Sequence, residues 1–469
     1  MKNNKVIKDI FIVALSNIII ALAGVVNGFI IPKVMSVTDY GFYKIFSLYA
    51  TYITLLHFGF IDGILIMYAG KKKEELDKKA FKTYSRFLFM LELSASVIVI
   101  FIAVFLKGIY KFIFIMLAAN ILFTNIALYF QYISQVTERF KELTVRNILK
   151  SILNILLAII LFVLFKIRNY YVSSKSYIFY IVGINFILAL WYMLTYRDLW
   201  IGKANKFNDE KTNIKHIFFE GLPYTIASFL ASLILTIDRQ FVSIAFDTET
   251  YAVYAFAYNM LALITTATSA ISTVLYPYLK RQENSKNLIY TLRSIISFVV
   301  AIMICSFFIL SYIINWFLPK YVNSLDIFYI ILPGLIFSSV NTIVLVNYFK
   351  IDHKQNIYMI ISGIIVLLSL LANFIAYFLF KTTSSISWAS TIIMVIWYVV
   401  LNIYFKIKYK ISFMRNFIYC GLVTLGFYII AAYINNILGF TIYITYIVLI
   451  SILFNIELIK KFFRRLKNE

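Results

Sequence analysis

The sequence has few of the residues from which soluble domains, disulfide frameworks and metal centres are built. Only 14% of its 469 residues are charged and 62% are hydrophobic, whereas soluble domains are about a quarter charged and half apolar. Its two cysteines, Cys305 and Cys420, lie in apolar runs, and its three histidines lack metal-ligand spacing. The composition therefore excludes a disulfide-stapled domain and a His/Cys metal centre, and it indicates an integral membrane protein.

Sequence signatures of catalysis are missing as well. The chain has no phosphate-cradling glycine-rich loop, nucleophile elbow or metal motif. The longest connection between apolar runs is about twenty residues, and the outer turn FDTET is too small for an active site. We therefore expect a protein that is not an enzyme, and a membrane polysaccharide polymerase is only a remote alternative.

What the sequence does have is a series of long apolar runs. About twenty predominantly apolar residues can cross a bilayer as a helix. The first run resembles a signal peptide but continues to Ile31, so we predict an uncleaved helix. We predict an all-α polytopic protein with about fourteen transmembrane helices. The predicted spans are 10–32, 41–69, 84–106, 112–133, 148–166, 177–196, 217–245, 250–279, 290–318, 325–349, 356–380, 385–405, 416–435 and 440–459.

The basic residues are distributed unevenly between the two sides of the predicted spans. The chain has 44 Lys and Arg against 21 Asp and Glu, a net charge of +23. Of the 44, 34 fall on the side of both termini, nine fall on the other side, and Arg239 lies inside a predicted span. The positive-inside rule then places both termini in the cytoplasm. In a membrane protein this charge marks one side of the bilayer, so we expect no nucleic-acid partner.

Two short segments indicate an internal repeat. TDYGFY (38–43) joins spans 1 and 2, and ETYAVY (249–254) joins spans 7 and 8. Tyr40 matches Tyr251 at an offset of 211 residues, and so do the tyrosines three positions later. Six spans separate the two units, so both keep the same orientation, and parallel repeats of this kind are a transporter architecture. We therefore predict two parallel-related six-helix lobes, followed by two further helices. Their ranges are 10–200, 216–405 and 416–460.

Span 7 carries a polar stripe that includes a charge. Its members recur at steps of three and four residues, which places them on one helical face. They are Thr225, Ser228, Ser232, Thr236, Arg239 and Ser243. Asp238 precedes Arg239 and projects about 100° away. A charge in hydrocarbon costs a few kcal/mol on insertion scales. We expect Arg239 to face a cavity, to reach toward the membrane surface, or to pair with Asp238 or Asp62.

Neighbouring spans carry related polar faces. Tyr254 and Tyr258 begin the stripe of span 8, and Asn17 and Asn27 belong to that of span 1. Such faces either line a cavity or pack helices together. The candidate cavity residues are Arg239, Asp238, Asn27, Ser232, Thr236, Tyr254 and Tyr258.

Two further acids lie inside predicted spans. Asp62, in HFGFIDGI, and Glu92, in MLELSAS, each lie about eight residues from the inner end of their span. Such acids are candidates for binding a proton or Na⁺. The alternative is a hydrogen bond to the backbone or to Arg86. We interpret His57, in span 2, as a satisfied polar residue of the core.

The order of these features resembles the polysaccharide flippases of the multidrug/oligosaccharidyl-lipid/polysaccharide (MOP) exporter superfamily. Similar segments are SVTDYGFY with HFGFIDG, EGLPYTIASFLASLILTIDRQFVSIAF with ETYAVYAFAYNML, and FLPKYVNSLDIFYIILPG. The resemblance implies two six-helix lobes around a cavity lined by spans 1, 2, 7 and 8. Asp238 and Arg239 resemble a recurrent Asp-Arg of the family. Span 1, in contrast, has only Asn17 and Asn27 where relatives carry arginine.

The resemblance implies a flippase that moves undecaprenyl-diphosphate-linked oligosaccharides to the outer leaflet of a bacterial plasma membrane. We expect no cofactor, with possible coupling to a proton or Na⁺ gradient through Asp62 or Glu92. Expected partners are the lipid-linked oligosaccharide, membrane lipids and other membrane proteins of polysaccharide assembly. The closest alternative is a small-molecule cation antiporter of the same superfamily, which would need a compact acidic site. The basic Arg239 on the stripe argues against that alternative.

Overall fold

The computed structural model describes residues 19–281, 286–352 and 354–468, with side chains described for most of these positions. Within these ranges the chain is helical and contains no β-strand. The helices of the first half are α1 (Ile19–Val34), α2 (Val37–Ile53), α3 (Phe60–Tyr68), α4 (Lys78–Phe105), α5 (Gly108–Val136), α6 (Phe140–Arg168), α7 (Ser174–Thr195) and α8 (Phe207–Ile234). Those of the second half are α9 (Ile237–Ala245), α10 (Thr248–Arg281), α11 (Lys286–Ile304), α12 (Ser306–Phe317), α13 (Ser324–Ile331), α14 (Leu335–Ser339), α15 (Val346–Ile351), α16 (Gln355–Phe380), α17 (Thr383–Tyr409), α18 (Met414–Tyr433) and α19 (Ile437–Asn468).

Eleven of the predicted spans coincide with helical segments that are long and apolar enough to cross a membrane, among the described residues. The chain is therefore a multi-pass membrane protein, as predicted. The other three predicted spans do not enter this count. The first begins at residue 10, outside the described residues, and the second is broken into α2 and α3. The eighth lies in α10, whose side chains are described only to Thr266.

Side-chain caps explain where several helices begin. The Ser36 hydroxyl accepts the N–H of Asp39 and starts α2. Asp77 accepts two backbone N–H groups of the first turn of α4. Ser173 and Thr382 each accept one backbone N–H group in the first turns of α7 and α17. Each cap satisfies N–H groups that have no partner within the helix, which stabilises a start by about 1 kcal/mol.

The described chain divides into two compact units between Phe229 and Leu230, so that α8 contributes to both. In the N-terminal unit, α5 is the central helix and packs against α2, α3, α4, α6 and α7. Its core is aromatic and aliphatic, with Phe60, Tyr84, Tyr129, Ile133 and Tyr196 among its buried members. These contacts of α5 with five helices fix the positions of the buried acids of this unit, which are described below.

In the C-terminal unit, α17 packs against α9, α13, α14 and α16, and α10 packs against α9 and α13. The last two helices, α18 and α19, pack against each other and against α11. An aromatic cluster supports this packing: the ring of Phe427 lies 5.3 Å from that of Phe307 and 5.6 Å from that of Tyr443. The two additional predicted spans are thus part of the second compact unit.

Candidate functional site

The predicted seventh span is not one continuous helix. It is broken at Leu235 and Thr236, between α8 and α9. The N–H groups of these two residues bond to the carbonyls of Ser232 and Leu233, which is a tighter i−3 pattern. The Thr236 hydroxyl donates a hydrogen bond to the Ser232 carbonyl at 3.0 Å. This bond competes with the backbone hydrogen bond that the carbonyl would accept in a regular helix. The break places Asp238 and Arg239 in the first turn of a new short helix.

Asp238 is held entirely by hydrogen bonds from its own unit. Its side chain is only 2% exposed. One carboxylate oxygen accepts the backbone N–H of Arg239 at 2.7 Å. The other accepts the hydroxyls of Tyr254, at 2.8 Å, and Tyr258 from α10. A buried carboxylate with three donors is well compensated. Both tyrosines predicted to line the cavity are therefore buried partners of Asp238.

Arg239 forms no ion pair with its neighbour Asp238. The guanidinium carbon lies 4.7 Å from the centre of the Tyr258 ring, a distance that allows a cation–π contact. One terminal nitrogen reaches the Leu235 carbonyl at 3.4 Å, and Nε has no hydrogen-bond partner. The residue is half-buried. Tyr258 thus holds the guanidinium in place while most of its donors stay unused.

The remaining predicted cavity residues have different environments. Ser232 is exposed, whereas Thr236 is buried and bonded to the Ser232 carbonyl. Asn27 lies in the N-terminal unit, is half-buried, and has a side-chain oxygen without a hydrogen-bond partner. In the C-terminal unit the structure therefore brings Asp238, Arg239, Tyr254 and Tyr258 into one cluster, with Thr236 beside the break.

A second cluster surrounds Asp62 in the N-terminal unit. The predicted second span breaks between α2 and α3, where Phe58 and Gly59 have φ values of 46° and 91°. Asp62 is buried in the first turn of α3 and accepts a hydrogen bond from Thr225 of α8. His57 Nε2 lies 4.0 Å from the same carboxylate oxygen.

The hydrogen bonds of His57 indicate its tautomer. The backbone N–H of Gly59 donates to His57 Nδ1 at 3.1 Å. An accepting Nδ1 carries no proton, so in the neutral ring the proton lies on Nε2, which faces Asp62. The histidine is 3% exposed. It is a satisfied polar residue of the core, and it also faces a buried acid.

Helices α3 and α8 approach each other at glycines. A Cβ on Gly221 would lie 1.9 Å from the Gly59 carbonyl oxygen and 2.4 Å from the Gly63 nitrogen. Only glycine fits such a backbone contact. This close approach brings Thr225, one turn beyond Gly221, to Asp62.

Glu92 has a different partner from the one that the sequence proposed. It is fully buried, and one carboxylate oxygen accepts the side-chain N–H of Asn125 at 2.7 Å. The other oxygen has no hydrogen-bond partner. Arg86 donates instead to the Gly202 carbonyl at 2.7 Å. Asn125 also donates to the Ile53 carbonyl at the end of α2, at 3.1 Å.

The two repeat segments occupy the same helical positions. Helix α2 begins at Val37 and α10 at Thr248, which differ by 211, the offset of the repeat. Tyr40 and Tyr251 are each the fourth residue of their helix, and both are 1% exposed. The equivalent burial agrees with an internal repeat.

One buried charge was missed because its sequence position resembled a topogenic one. Arg293, near the start of α11, is 1% exposed, and all three of its guanidinium nitrogens lack hydrogen-bond partners. Its guanidinium carbon lies 6.0 Å from the centre of the Phe405 ring. An arginine at the end of an apolar run normally anchors the helix at the membrane surface, so the position of Arg293 does not indicate burial.

The described residues contain no group of three or more His, Cys, Asp or Glu side chains able to hold a metal ion.

A family model described as "Polysaccharide biosynthesis protein" matches residues 6–283, more than half of the chain. The chain belongs to this family. No curated protein sequence matches it significantly.

The fold is similar to those of several solved structures. "Lipid II flippase MurJ, inward closed conformation" matches with a TM-score of 0.70 and 16% identity, over 98% of this chain and 99% of that one. An outward-facing multidrug resistance MATE transporter of the MOP superfamily matches with 0.54 and 12%, over 86% and 97%. A MOP superfamily transporter from Pyrococcus furiosus gives 0.53 and 12%, over 90% and 96%. The family model confirms the predicted membership of a polysaccharide family, and these structures confirm the predicted all-α polytopic fold.

Proposed function

We propose that the protein is a flippase that moves a polyprenyl-diphosphate-linked oligosaccharide from the inner to the outer leaflet of a bacterial plasma membrane by alternating access. In this proposal both termini are cytoplasmic and Arg239 contacts the diphosphate. The observation that carries it is the state of Arg239, an intramembrane cation whose neighbouring acid is occupied by other donors.

The hydrogen bonds around Asp238 explain why the Arg239 charge is available. Asp238 accepts from Tyr254, Tyr258 and a backbone N–H, so it does not pair with the guanidinium. A planar guanidinium with free donors forms bidentate hydrogen bonds with phosphate oxygens and stays charged in the membrane. A lipid diphosphate, which cannot cross hydrocarbon unaided, is the matching ligand.

The oligosaccharide needs a different surface. Sugar hydroxyls require hydrogen-bond partners, and Ser232, which is exposed in the same unit as Arg239, offers one. We assign Ser232 to a sugar contact. The polyprenyl tail stays in the bilayer.

A cation antiporter is the alternative from the same superfamily. Such a site needs an acid that a cationic drug can reach. Asp238, Asp62 and Glu92 are 2%, 6% and 0% exposed, so none presents an open acidic surface here. Their burial favours the anionic substrate.

In this proposal the membrane potential drives the outward movement of the diphosphate headgroup. Moving two negative charges outward from a negatively charged cytoplasm, which is down the potential, releases roughly 4–5 kcal/mol per 100 mV. Countertransport of an ion is the competing source of energy. Of the buried acids, Glu92 is the better proton carrier, because only one of its oxygens has a donor. Asp62 accepts from Thr225 and faces His57.

Headgroup translocation in proteoliposomes tests the proposal. A short-chain undecaprenyl-diphosphate oligosaccharide is incorporated, and its access to an external lectin is followed for wild type, Arg239→Ala and Arg239→Lys. We expect flipping by wild type, loss in Arg239→Ala and partial retention in Arg239→Lys. Arg415→Ala, which removes an exposed arginine of the same unit, is the matched control and should flip normally.

Three outcomes would change this proposal. Wild-type protein that flips none of several glycans but exports small organic cations is an antiporter. Flipping that is unchanged in Arg239→Ala removes the guanidinium from the mechanism. Transport that persists without Na⁺ and without a proton gradient excludes ion coupling through Asp62 and Glu92.

A further inference from the structure

An apolar groove of about 430 Å³ opens on the surface of the N-terminal unit. It lies between α4 and α5, the end of α7 and the connection that follows α7. Its volume is within the range of ligand sites, roughly 300–1,000 Å³. None of the candidate cavity residues lines it, so it is separate from the site proposed for the substrate.

The groove has a fixed apolar floor and an open rim. Leu88 and Phe130 on the floor are 1% and 2% exposed, whereas Met90 on the rim is 63% exposed. The Ser85 hydroxyl lies 3.0 Å from the Leu199 carbonyl oxygen, and the Trp200 indole N–H donates to the Met193 carbonyl at 2.9 Å. These polar groups are bonded within the protein, so the groove presents hydrocarbon to its occupant.

Positive charge is concentrated at one end of the groove. Arg86 lies in the lining and bonds to the Gly202 carbonyl at 2.7 Å. Lys82 Nζ lies 3.3 Å from the position that a Cβ of Gly202 would take, and Lys203 follows directly. The nearby acid of this connection, Asp198, already pairs with Lys73 and Lys78. Within the described part of the chain, the three cations at the groove have no carboxylate partner.

We propose that this groove binds an acyl chain of an anionic membrane phospholipid, with the phosphate held between Arg86, Lys82 and Lys203. Phe89 in its lining and Val97 farther along α4 are exposed apolar residues, as expected for the face that a membrane-spanning helix turns to lipid. A small polar solute would find no free hydrogen-bonding group along the floor. A lipid without net charge would leave the cations uncompensated. Trp200 lies at the same end of the groove as the cations. Tryptophan side chains of membrane proteins are enriched at the level of the lipid headgroups.

Lipid titration of the full-length protein by native mass spectrometry tests the charge requirement. The probes are dioleoyl-phosphatidylglycerol and dioleoyl-phosphatidylcholine, which carry the same chains. We expect tighter binding of the anionic lipid. Each basic residue near an anionic lipid contributes about 1 kcal/mol, so each loss should weaken binding about five-fold. The double variant Lys82→Gln/Arg86→Gln should then bind phosphatidylglycerol about 25-fold more weakly. Lys211→Gln, an exposed lysine of α8 outside the groove, should bind as wild type.

Filling the groove tests the chain position. Met90→Trp should weaken binding of both lipids. Val97→Trp is the matched control, because Val97 is similarly exposed on the same helix, at 57% against 63% for Met90, but lies outside the lining. Equal affinity for the two lipids, or wild-type affinity in the double charge variant, would overturn the proposal and leave ordinary bilayer contact. Displacement of phosphatidylglycerol by undecaprenyl diphosphate would instead assign the groove to the transported lipid. Because binding is measured without transport, these outcomes are independent of the proposed flippase function.

Discussion

The hydroxyl of Tyr254 donates a 2.8 Å hydrogen bond to the carboxylate of Asp238, and both side chains are buried inside the C-terminal unit. The donor lies on α10 and the acceptor on α9, so this bond ties the short helix after the break to its neighbour. It also occupies one oxygen of the carboxylate, which forms no ion pair with the Arg239 guanidinium.

Tyr254→Phe removes one of the donors to this buried carboxylate. A hydrogen bond to a charged group contributes about 1.5–3 kcal/mol, so we expect the variant to unfold at a clearly lower temperature in detergent. Tyr433→Phe, at an 86% exposed position, should unfold as wild type. Asp238→Asn combined with Tyr254→Phe should cost less than the sum of the single changes, because the two residues are coupled. Additive losses would show that the bond contributes nothing.

Thr225→Val tests the contact that joins α8 to the Asp62 cluster. Valine keeps the shape of threonine but leaves a buried carboxylate with one donor fewer, which costs about 1–3 kcal/mol. We expect a lower melting temperature for this variant. Thr445→Val is the control, because the exposed Thr445 hydroxyl bonds only to a carbonyl of its own helix. Equal effects of the two variants would contradict a special role for Thr225.

Gly221→Ala should be among the most damaging single-methyl changes in the chain. The added Cβ would lie 1.9 Å from the backbone oxygen of Gly59, and backbone cannot move aside as a flexible side chain can. We expect little folded protein on size-exclusion chromatography. Gly183→Ala is the matched control, since nothing lies within 4 Å of its added Cβ. It should fold normally, because alanine is the better helix former. Normal folding of Gly221→Ala would contradict the close approach of α3 and α8.

Asp39, outside the membrane-spanning segments, should make stability depend on pH. Burial alone would raise its pKa, but hydrogen bonds from Ser174 and Ser36 outweigh burial and hold the pKa below its usual value of 3.8. A lowered pKa in the folded state means that the stabilisation is fully present above pH 3.8 and is lost as the pH falls through the lowered value.

We therefore expect the melting temperature of wild type to fall below about pH 4 more steeply than that of Asp39→Asn. At pH 7 the variant should be less stable, because its amide replaces a charged acceptor of the Ser174 backbone N–H. Parallel melting curves of the two proteins between pH 3 and pH 7 would show that Asp39 does not contribute.

Arg293→Met tests the buried guanidinium that has no hydrogen-bond partner. Burying a charge without compensation costs several kcal/mol, and apolar replacements of buried charges are often stabilising by about 1–4 kcal/mol. We expect a higher melting temperature for Arg293→Met than for wild type. Arg293→Lys keeps the charge and should not share the gain. A lower melting temperature in Arg293→Met alone would show that the guanidinium has a stabilising partner in solution.

The composition of single segments predicted much of the fold and of the candidate site. Apolar run length indicated the membrane spans, because crossing hydrocarbon requires about twenty apolar residues wherever they occur. Asp238 and Arg239 were candidates for the site because charged residues are rare within an apolar run. Tyr40 and Tyr251 also keep the same position relative to the start of a helix, as the predicted repeat requires.

Only the tertiary structure decided what these residues touch. The breaks before Phe60 and Ile237 depend on backbone turns that hydrophobic periodicity does not report. The partners of Asp238 come from the next helix, and Thr225 reaches Asp62 only because two helices meet at Gly221. The sequence by itself determined that the chain is a helical membrane protein with charges in its spans, because composition and run length are properties of single segments. Whether each charge is buried, paired or free depends on side chains that packing brings from other segments.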